Sequence, residues 1–295
     1  MKTPADDLFA ADARVDVAIT SWSEDFVDEL AGVLRALEVR IVSLIRQMER
    51  EGGRVVATAA SLGIAQKAKA QLEQALIQAG YQEKVTAAYA RLPQLVTLSS
   101  VAEKVQAFSA FDVQVLDAFR ILKTTELMEL FDTATTKASG ILLRGVMGAQ
   151  SESELIAELA EILDETNAHA TTLYETGLSE FTRTHELLHT DGTPDEAFLY
   201  SGPIDARIRP FCLERVGKVF TREAIDAMDN GQLPNTLLTA GGYRCRHIFR
   251  AVSEYSDLKD LAGTGAYASE RAEAQVDHVT QAMKDAKQTR QRRAA

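Results

Sequence analysis

The sequence predicts a mainly α-helical protein, built as an N-terminal helical bundle or arm, a small α+β module and a helical C-terminal tail. The chain has only 6 proline residues among 295, and its abundant Ala, Glu, Leu and Gln are good helix formers. Apolar residues recur at steps of three and four through most of the chain before Thr190, as they do on one face of a helix. Prolines and short β-like runs concentrate after Thr190. We therefore predict a helical domain over 1–190, the module over 191–262 and a polar helical tail over 263–295.

The first long helix is predicted to begin at Ser21 and to end at Gly52–Gly53. Ser21 and Glu24 have the spacing of a capping box, in which each side chain bonds the backbone N–H of the other residue. An apolar stripe follows at helical spacing, and its members are Phe26, Leu30, Val33, Leu34, Leu37, Ile41, Leu44, Ile45 and Met48. Such a stripe is either a partner-binding face or the internal seam of a bundle, and the seam is the commoner outcome.

Further helices are predicted up to the boundary at Thr190. Ser151 and Glu154 form a second capping box at the start of one of them. Pro93 ends an earlier one, because the residue before proline disfavours the helical conformation. The predicted ranges are 54–79, 82–91, 98–122, 125–148, 151–164 and 166–189.

Short strands and tight turns are predicted for the module. The segments AFLYSG and GKVFT have the apolar and aromatic composition of strands. Thr221 is predicted to cap a short helix over 222–228. The pair Gly241–Gly242 allows the backbone to approach a neighbour closely or to adopt positive φ.

Four charged residues of the module are candidates for a structural polar cluster. If residues 205–209 are extended, Asp205, Arg207 and Arg209 project from one face, because side chains alternate along a strand. Together with Arg246 they would form an ion-pair network that fixes the loops of the module.

Composition and charge restrict the class of protein. The net charge of −11 disfavours a general nucleic-acid binder, because phosphate affinity requires an excess of Lys and Arg. The N-terminal segment contains acids where a signal peptide needs a basic start and an apolar run, and no stretch has the length of a membrane span. Two cysteines do not make a disulfide framework, so we expect synthesis in a reducing cytoplasm and no bond between Cys212 and Cys245.

The end of the tail is locally basic. Lys284 to Arg293 contains five basic residues and one acid, a net charge of +4. Such a segment contacts nucleic acid or an acidic partner, or it is a solvated helix end.

The segment His185-Glu186-Leu187-Leu188-His189 matches the HExxH pattern of zinc peptidases. Residues four apart share a helix face, so His185 and His189 could bind one zinc ion with Glu186 as the base. The turn at Asp191–Gly192 follows directly, and no third ligand is marked. The alternative is a helix C-terminus, where histidine interacts favourably with the helix dipole.

Three segments of the module carry a resemblance to a known family. GPIDARIRPFC, VGKVFTREAIDAMDNGQ and GGYRCRH resemble the C-terminal module of tailed-phage head morphogenesis proteins, the Mu F-like minor head family. The match covers 172–250 and includes the helix before the module. Ile208 stands where the family often has Thr, and Arg244 stands where it has Asn, so local hydrogen bonds there are expected to differ.

The resemblance implies a non-enzymatic function in the virion. Members of the family are minor head components that assist head assembly, associate with the portal or the procapsid interior, and in some cases leave with the DNA. The implied partners are the portal protein and the major capsid protein, with self-association allowed, DNA contact at the basic tail, and no membrane. The implied location is the head interior or portal region of the virion, after synthesis in the host cytoplasm.

Cys212, Cys245 and His247 are the candidate ligands of a structural zinc ion. Thiolate and imidazole are the ligands that zinc prefers, and Asp205 or His189 could supply a fourth. A metal would stabilise a small domain with few strands. In the alternative interpretation, the cysteines are buried apolar residues beside the polar cluster. A zinc peptidase using His185, Glu186 and His189 and a zinc-stabilised nucleic-acid-binding protein remain the alternative functions.

Overall fold

The computed structural model describes residues 3–100, 110–188, 190, 196–252 and 254–294. It confirms a mainly α-helical chain with a small α+β module. The helices are α1 (Pro4–Gln47), α2 (Ala59–Gln78), α3 (Tyr81–Tyr89), α4 (Leu92–Ser99), α5 (Ala110–Met147), α6 (Glu152–Leu188), α7 (Pro210–Leu213), α8 (Arg222–Asp226), α9 (Thr236–Thr239), α10 (Ser256–Lys259) and α11 (Glu270–Ala294). The strands are β1 (Arg50–Glu51), β2 (Arg54–Val55), β3 (Ala197–Ser201), β4 (Val219–Thr221) and β5 (Ile248–Ala251). None of the described helices has both the length and the apolar character needed to cross a bilayer.

The chain divides into two compact units, which do not follow the predicted domain boundaries. The module unit consists of 1–20, 92–116 and 176–295, and the helical unit consists of 21–91 and 117–175. The predicted boundaries at residues 190 and 262 do not coincide with this division. The physical reason is that residues from both ends of the chain contribute to the core around the module's sheet, as described below.

The apolar stripe of α1 is the internal seam of the helical unit. Apart from the half-buried Leu34, every residue of the predicted stripe from Phe26 to Met48 is buried. Aromatic rings fill the same unit, with Phe26 stacked on Tyr174 at a centroid distance of 4.3 Å. The interpretation of the stripe as a bundle seam is therefore confirmed.

Several predicted helix boundaries are wrong, among them the end of α1, which is Gln47 and not Gly52–Gly53, and the start of α2, which is Ala59 and not residue 54. One capping box is confirmed. Helix α1 begins at Pro4 instead of Ser21, because the apolar periodicity continues upstream and Pro is well suited to the first helical position. Helices α5 and α6 run through the predicted breaks near 123 and 165. At the start of α6, Ser151 N–H donates to Glu154 at 2.7 Å, and Glu154 N–H donates to the Ser151 hydroxyl at 3.2 Å.

A three-stranded antiparallel sheet with the order β4-β3-β5 organises the module unit. AFLYSG and GKVFT form β3 and β4, as the sequence predicts, whereas β5 was not predicted. Strand β3 is buried along its whole length. Phe198 and Tyr200 belong to one apolar cluster and Ala197 and Leu199 to another, so alternate residues of β3 serve the two sides of the sheet.

Both chain ends pack on this sheet. Leu8 of α1 joins the cluster around Leu199, and Val276 and Val279 of α11 join the cluster around Phe198. The first half of α11 therefore contributes buried apolar residues in addition to the polar residues predicted for the tail. Only the described residues from 284 onward are exposed without interruption.

Candidate metal centre

Two cysteines and a histidine come together on one side of the sheet. Cys212 lies in α7, whose first residue is Pro210, while Cys245 and His247 immediately precede β5. The two Sγ atoms are 3.7 Å apart although the residues are separated by 33 positions in the chain. One ligand atom from each of the three residues lies within 4.8 Å of the others, and all three residues are buried.

These distances fit the donor set of a tetrahedral zinc site. Two zinc–sulfur bonds of about 2.3 Å at a tetrahedral angle place the sulfur atoms about 3.8 Å apart. The observed separation between Cys212 and Cys245 is 3.7 Å. The distance from Cys245 Sγ to His247 Nδ1 is 3.9 Å, against about 3.6 Å for sulfur and nitrogen bound to one zinc ion. The three residues can therefore hold a metal ion with small adjustments.

Gly241 forms the backbone wall of the centre. Its N–H donates to Cys245 Sγ at 3.1 Å. A Cβ atom at this position would lie 2.5 Å from Cys212 Sγ and 3.0 Å from Cys245 Sγ, which is too close for either sulfur. Gly242 adopts a φ of 90°. The prediction that this glycine pair serves a close approach and a positive φ is confirmed.

His247 is held between Tyr200 and the backbone. Its ring stacks on Tyr200 with an interplanar angle of 10° and a centroid distance of 5.4 Å. A Cβ atom on Gly202 would lie 2.7 Å from His247 Cδ2, so this glycine makes room for the ring. His247 is buried, and within the described residues its Nε2 atom has no hydrogen-bond partner. The Nδ1 atom of the same ring faces Cys245 Sγ at 3.9 Å, so Nδ1 and not Nε2 is the nitrogen positioned to bind a metal together with the two cysteines.

The two thiols differ in acidity because they share a hydrogen bond. The bond from Cys212 lowers the pKa of Cys245 well below its usual value, with smaller contributions from His247 and Arg183. The same bond and burial raise the pKa of Cys212. One thiolate is therefore favoured in the metal-free centre, and thiolate is the form that binds zinc.

Arg183 of α6 organises the segment that carries two of the ligands. Its guanidinium donates to the backbone carbonyls of Cys245, Leu238 and His247, the last at 2.9 Å. The side chain is buried, and within the described part of the chain its hydrogen bonds go to carbonyl oxygens and not to a carboxylate. Arg183 was not predicted as a functional residue from the sequence. Its position could have indicated a buried arginine, because the neighbouring residues Leu178, Phe181 and Thr182 of the same helix are buried.

The predicted polar cluster is brought together only in part. Asp205 and Arg246 form a bidentate pair at 2.7 and 2.8 Å, and this hydrogen bonding lowers the pKa of Asp205. Arg246 also contacts Asp16 of α1 at 3.2 Å. Arg207 donates its backbone N–H to Asp205 at 2.9 Å, while its side chain is exposed and 3.6 Å from the carboxylate.

Arg209 has a different role from the predicted one. Residues 205–209 do not meet the condition of an extended conformation, because Asp205 accepts from the N–H of Arg207 and closes a turn. Arg209 donates instead to the carbonyls of Gly241 and Tyr243 at 2.7 and 2.5 Å. It fixes the turn that forms the wall of the centre.

Glu186, which would be the base of a zinc peptidase, belongs to a second ion-pair network. Arg250 of β5 pairs with Glu186 at 3.0 Å and with Asp12 of α1 at 2.5 Å. The Arg250 side chain is only 3% exposed. A carboxylate held by a buried guanidinium is poorly placed to activate a metal-bound water molecule. His189 lies outside the described residues, and the ligand cluster found among the described residues does not include His185.

The chain has no significant match among protein-family models, curated proteins or solved structures. The function of the chain is therefore inferred from the geometry above and from the motifs within 172–250.

Proposed function

We propose that this chain is a minor head protein of a tailed phage, which assists head assembly and associates with the portal or the procapsid interior. The proposal assigns no catalytic activity to the chain. Its module is a docking platform, stabilised by a structural zinc ion at Cys212, Cys245 and His247. The portal and major capsid proteins are the proposed partners, and the head interior or portal region of the virion is the proposed location.

The convergence of the three motif segments carries this proposal. Cys212 ends the first segment, and Cys245 and His247 belong to the third, yet their ligand atoms lie within 4.8 Å of one another. Ile225 of the second segment belongs to the same apolar cluster as Cys212 and Cys245. The three segments that resemble one family in sequence also meet in space around one centre. This supports the interpretation that they belong to a single module of that family.

The structural zinc has a direct test. We expect one zinc ion per purified chain by elemental analysis, and two cysteines that resist thiol reagents until the protein is unfolded or treated with a chelator. Native protein without zinc and with two freely reactive thiols would remove the metal from the proposal.

Incorporation into procapsids tests the assembly function. We propose to co-express the chain with the portal and major capsid proteins of the same genome and to measure its co-sedimentation with procapsids. We expect incorporation in a fixed ratio to portal subunits and protection from added protease. Assembled procapsids that exclude the chain would contradict the proposed function.

A pair of surface variants locates the docking face in the same experiment. Tyr243 is an exposed aromatic residue within GGYRCRH, and Val39 is an exposed apolar residue of the helical unit. Interfaces are enriched in Tyr, so Tyr243→Ser should reduce incorporation, whereas Val39→Ser should not. Equal incorporation of both variants would exclude Tyr243 from the docking face.

Contact of the basic tail with DNA is a second proposal, supported by the exposure of this segment. Every described residue from Lys284 to Arg292 is exposed on α11. Each phosphate contact contributes about −0.9 to the slope of log affinity against log salt. We expect a salt-dependent affinity for duplex DNA that is lost when the chain ends at Met283. Unchanged binding by the shortened chain would locate DNA binding elsewhere and favour a nucleic-acid-binding module.

A zinc peptidase at His185, Glu186 and His189 is a less favoured alternative. Glu186 would have to leave Arg250 before it could act as a base, and the buried guanidinium would then lose one of the two carboxylates with which it pairs. We expect that the zinc-loaded protein does not cleave procapsid proteins.

A further inference from the structure

The proposed zinc centre has three protein ligands, whereas a structural zinc ion takes four. We propose that the phenolate oxygen of Tyr200 is the fourth ligand. This inference rests on the proposed structural zinc and adds the composition and charge of its coordination sphere. The complete donor set is then Cys212, Cys245, His247 and Tyr200.

The position of the Tyr200 oxygen fits this role. The hydroxyl lies 3.3 Å from Cys212 Sγ and 3.9 Å from Cys245 Sγ. A sulfur and an oxygen bound to one tetrahedral zinc ion are about 3.6 Å apart. The two observed distances lie on either side of this value, so a small shift of the ring would equalise them.

The surroundings of Tyr200 favour a fixed ligand. The residue is 0% exposed, and its hydroxyl hydrogen bonds within the described residues go to sulfur atoms. It belongs to the central strand β3, which pairs with a strand on each side. The backbone that carries the phenol is therefore held rigidly, and water has little access to the fourth position.

The other candidates for this position are not placed there by the described structure. Asp205 forms a bidentate pair with Arg246 and does not belong to the ligand cluster. His189 lies outside the described residues.

Charge balance provides an independent argument. Two thiolates neutralise Zn²⁺, and a phenolate gives the centre a net charge of −1, with the displaced protons released to solvent. Arg183 is buried beside the centre, and its hydrogen bonds go to the carbonyls of Cys245, His247 and Leu238. A buried cation without a counter-charge is costly. Because two thiolates only neutralise the zinc ion, a phenolate supplies that counter-charge in the zinc-loaded centre.

Ultraviolet absorption of the zinc-loaded full-length chain tests the assignment. Buried tyrosines that do not bind metal remain neutral phenols at neutral pH, since their usual pKa is about 10. The difference spectrum between the wild type and Tyr200→Phe should therefore show a tyrosinate band. Competition with a chelator should show a loss of zinc affinity of roughly 100-fold, the upper end of the range for groups that support a bound metal.

Tyr174→Phe is the matched control. Tyr174 is also fully buried, and its hydroxyl donates to the Ala88 carbonyl at 3.1 Å in the helical unit. The difference spectrum between the wild type and Tyr174→Phe should be that of a neutral tyrosine, and the zinc affinity of Tyr174→Phe should equal that of the wild type.

The outcomes separate the fourth ligand from the zinc site itself. Suppose that the wild-type chain binds one zinc ion. A difference spectrum of a neutral tyrosine, or an unchanged zinc affinity in Tyr200→Phe, then overturns the assignment of Tyr200 and leaves the structural zinc in place. A wild-type chain that binds no zinc overturns both. If Tyr200→Phe does not fold, the spectrum of the zinc-loaded wild type is compared with that of the chelator-treated wild type. Absence of a tyrosinate band then overturns the assignment.

Discussion

The helical unit and the module unit are stabilised in different ways. In the helical unit, the stripe of α1 from Phe26 to Met48 packs apolar side chains over many helical turns. In the module unit, β4 has 3 residues and α7 has 4, and buried arginines connect such short segments through carbonyls and carboxylates. Long helices offer enough apolar area to specify their own packing. Short elements do not, so polar groups of fixed geometry define their arrangement.

Removal of a proposed zinc ligand should break this comparison most severely. Cys245→Ser is expected to expose the backbone of the module unit to hydrogen exchange, because the proposed structural zinc site would contribute on the order of 10 kcal/mol. The helical unit should keep its protection. Hydrogen exchange followed by mass spectrometry measures each segment separately. As a counterpart, Leu44→Ala removes a buried side chain of the helical unit and should cost about 2–5 kcal/mol without altering zinc content. Equal loss of protection in both units after Cys245→Ser would contradict the comparison.

Arg250→Met tests the importance of buried charge in the module unit. The substitution leaves Asp12 and Glu186 without their shared cation, and breaking a buried pair in this way costs about 3–5 kcal/mol. Urea denaturation measures the loss. Arg222→Met is the control, because the Arg222–Asp226 pair is exposed and should contribute less than about 1 kcal/mol. Similar losses for the two variants would show that burial of the first pair has no energetic consequence.

Two glycine substitutions should have opposite effects in the two units. Gly241→Ala places a methyl group against both sulfur atoms, so we expect weaker zinc binding and lower stability. Gly63 is in α2 of the helical unit and has no atom within 4 Å of the added methyl group. Gly63→Ala should therefore stabilise the chain by about 0.5–1 kcal/mol. Thermal denaturation and chelator competition measure both changes, and effects of the same sign would be inconsistent with the proposed role of Gly241.

The smallest expected effect is the pH dependence that one ion pair gives to the module unit. Arg246 holds the pKa of Asp205 below its ordinary value. The stabilisation is therefore complete above about pH 4, where the unfolded carboxyl is ionised, and it is lost as the pH falls through the lower folded value. We expect the stability advantage of the wild type over Asp205→Asn to shrink in acid and to be constant at neutral pH. An advantage that persists unchanged to low pH would exclude the ion pair as its source.

The sequence predicted regular features better than contacts between distant segments. The α1 stripe and the Ser151 capping box were identified because their signals lie within a few residues of one another. The start of α1 was misplaced because Ser21 has the sequence of a cap inside a helix that continues upstream. Strand β5 was missed because four residues give little periodicity.

The candidate site shows the same limit. Cys212, Cys245 and His247 were identified from ligand chemistry and from the motif resemblance. Asp12 and Asp16 lie 238 and 230 positions from Arg250 and Arg246, and no local spacing indicates such pairs. The letters of the HExxH motif also suit a helix end, and its Glu186 pairs with Arg250, which lies elsewhere in the chain.

The pairing of Asp12 with Arg250 has a consequence for synthesis of the chain on the ribosome. The first turns of α1 are made early, but their partner strand emerges 238 positions later. Until then, Leu8 lacks the sheet residues against which it packs. A fragment that begins at residue 172 would contain every motif of the module and still lack this part of its core. Such a fragment should aggregate on expression, and adding residues 3–20 as a separate peptide should improve its solubility.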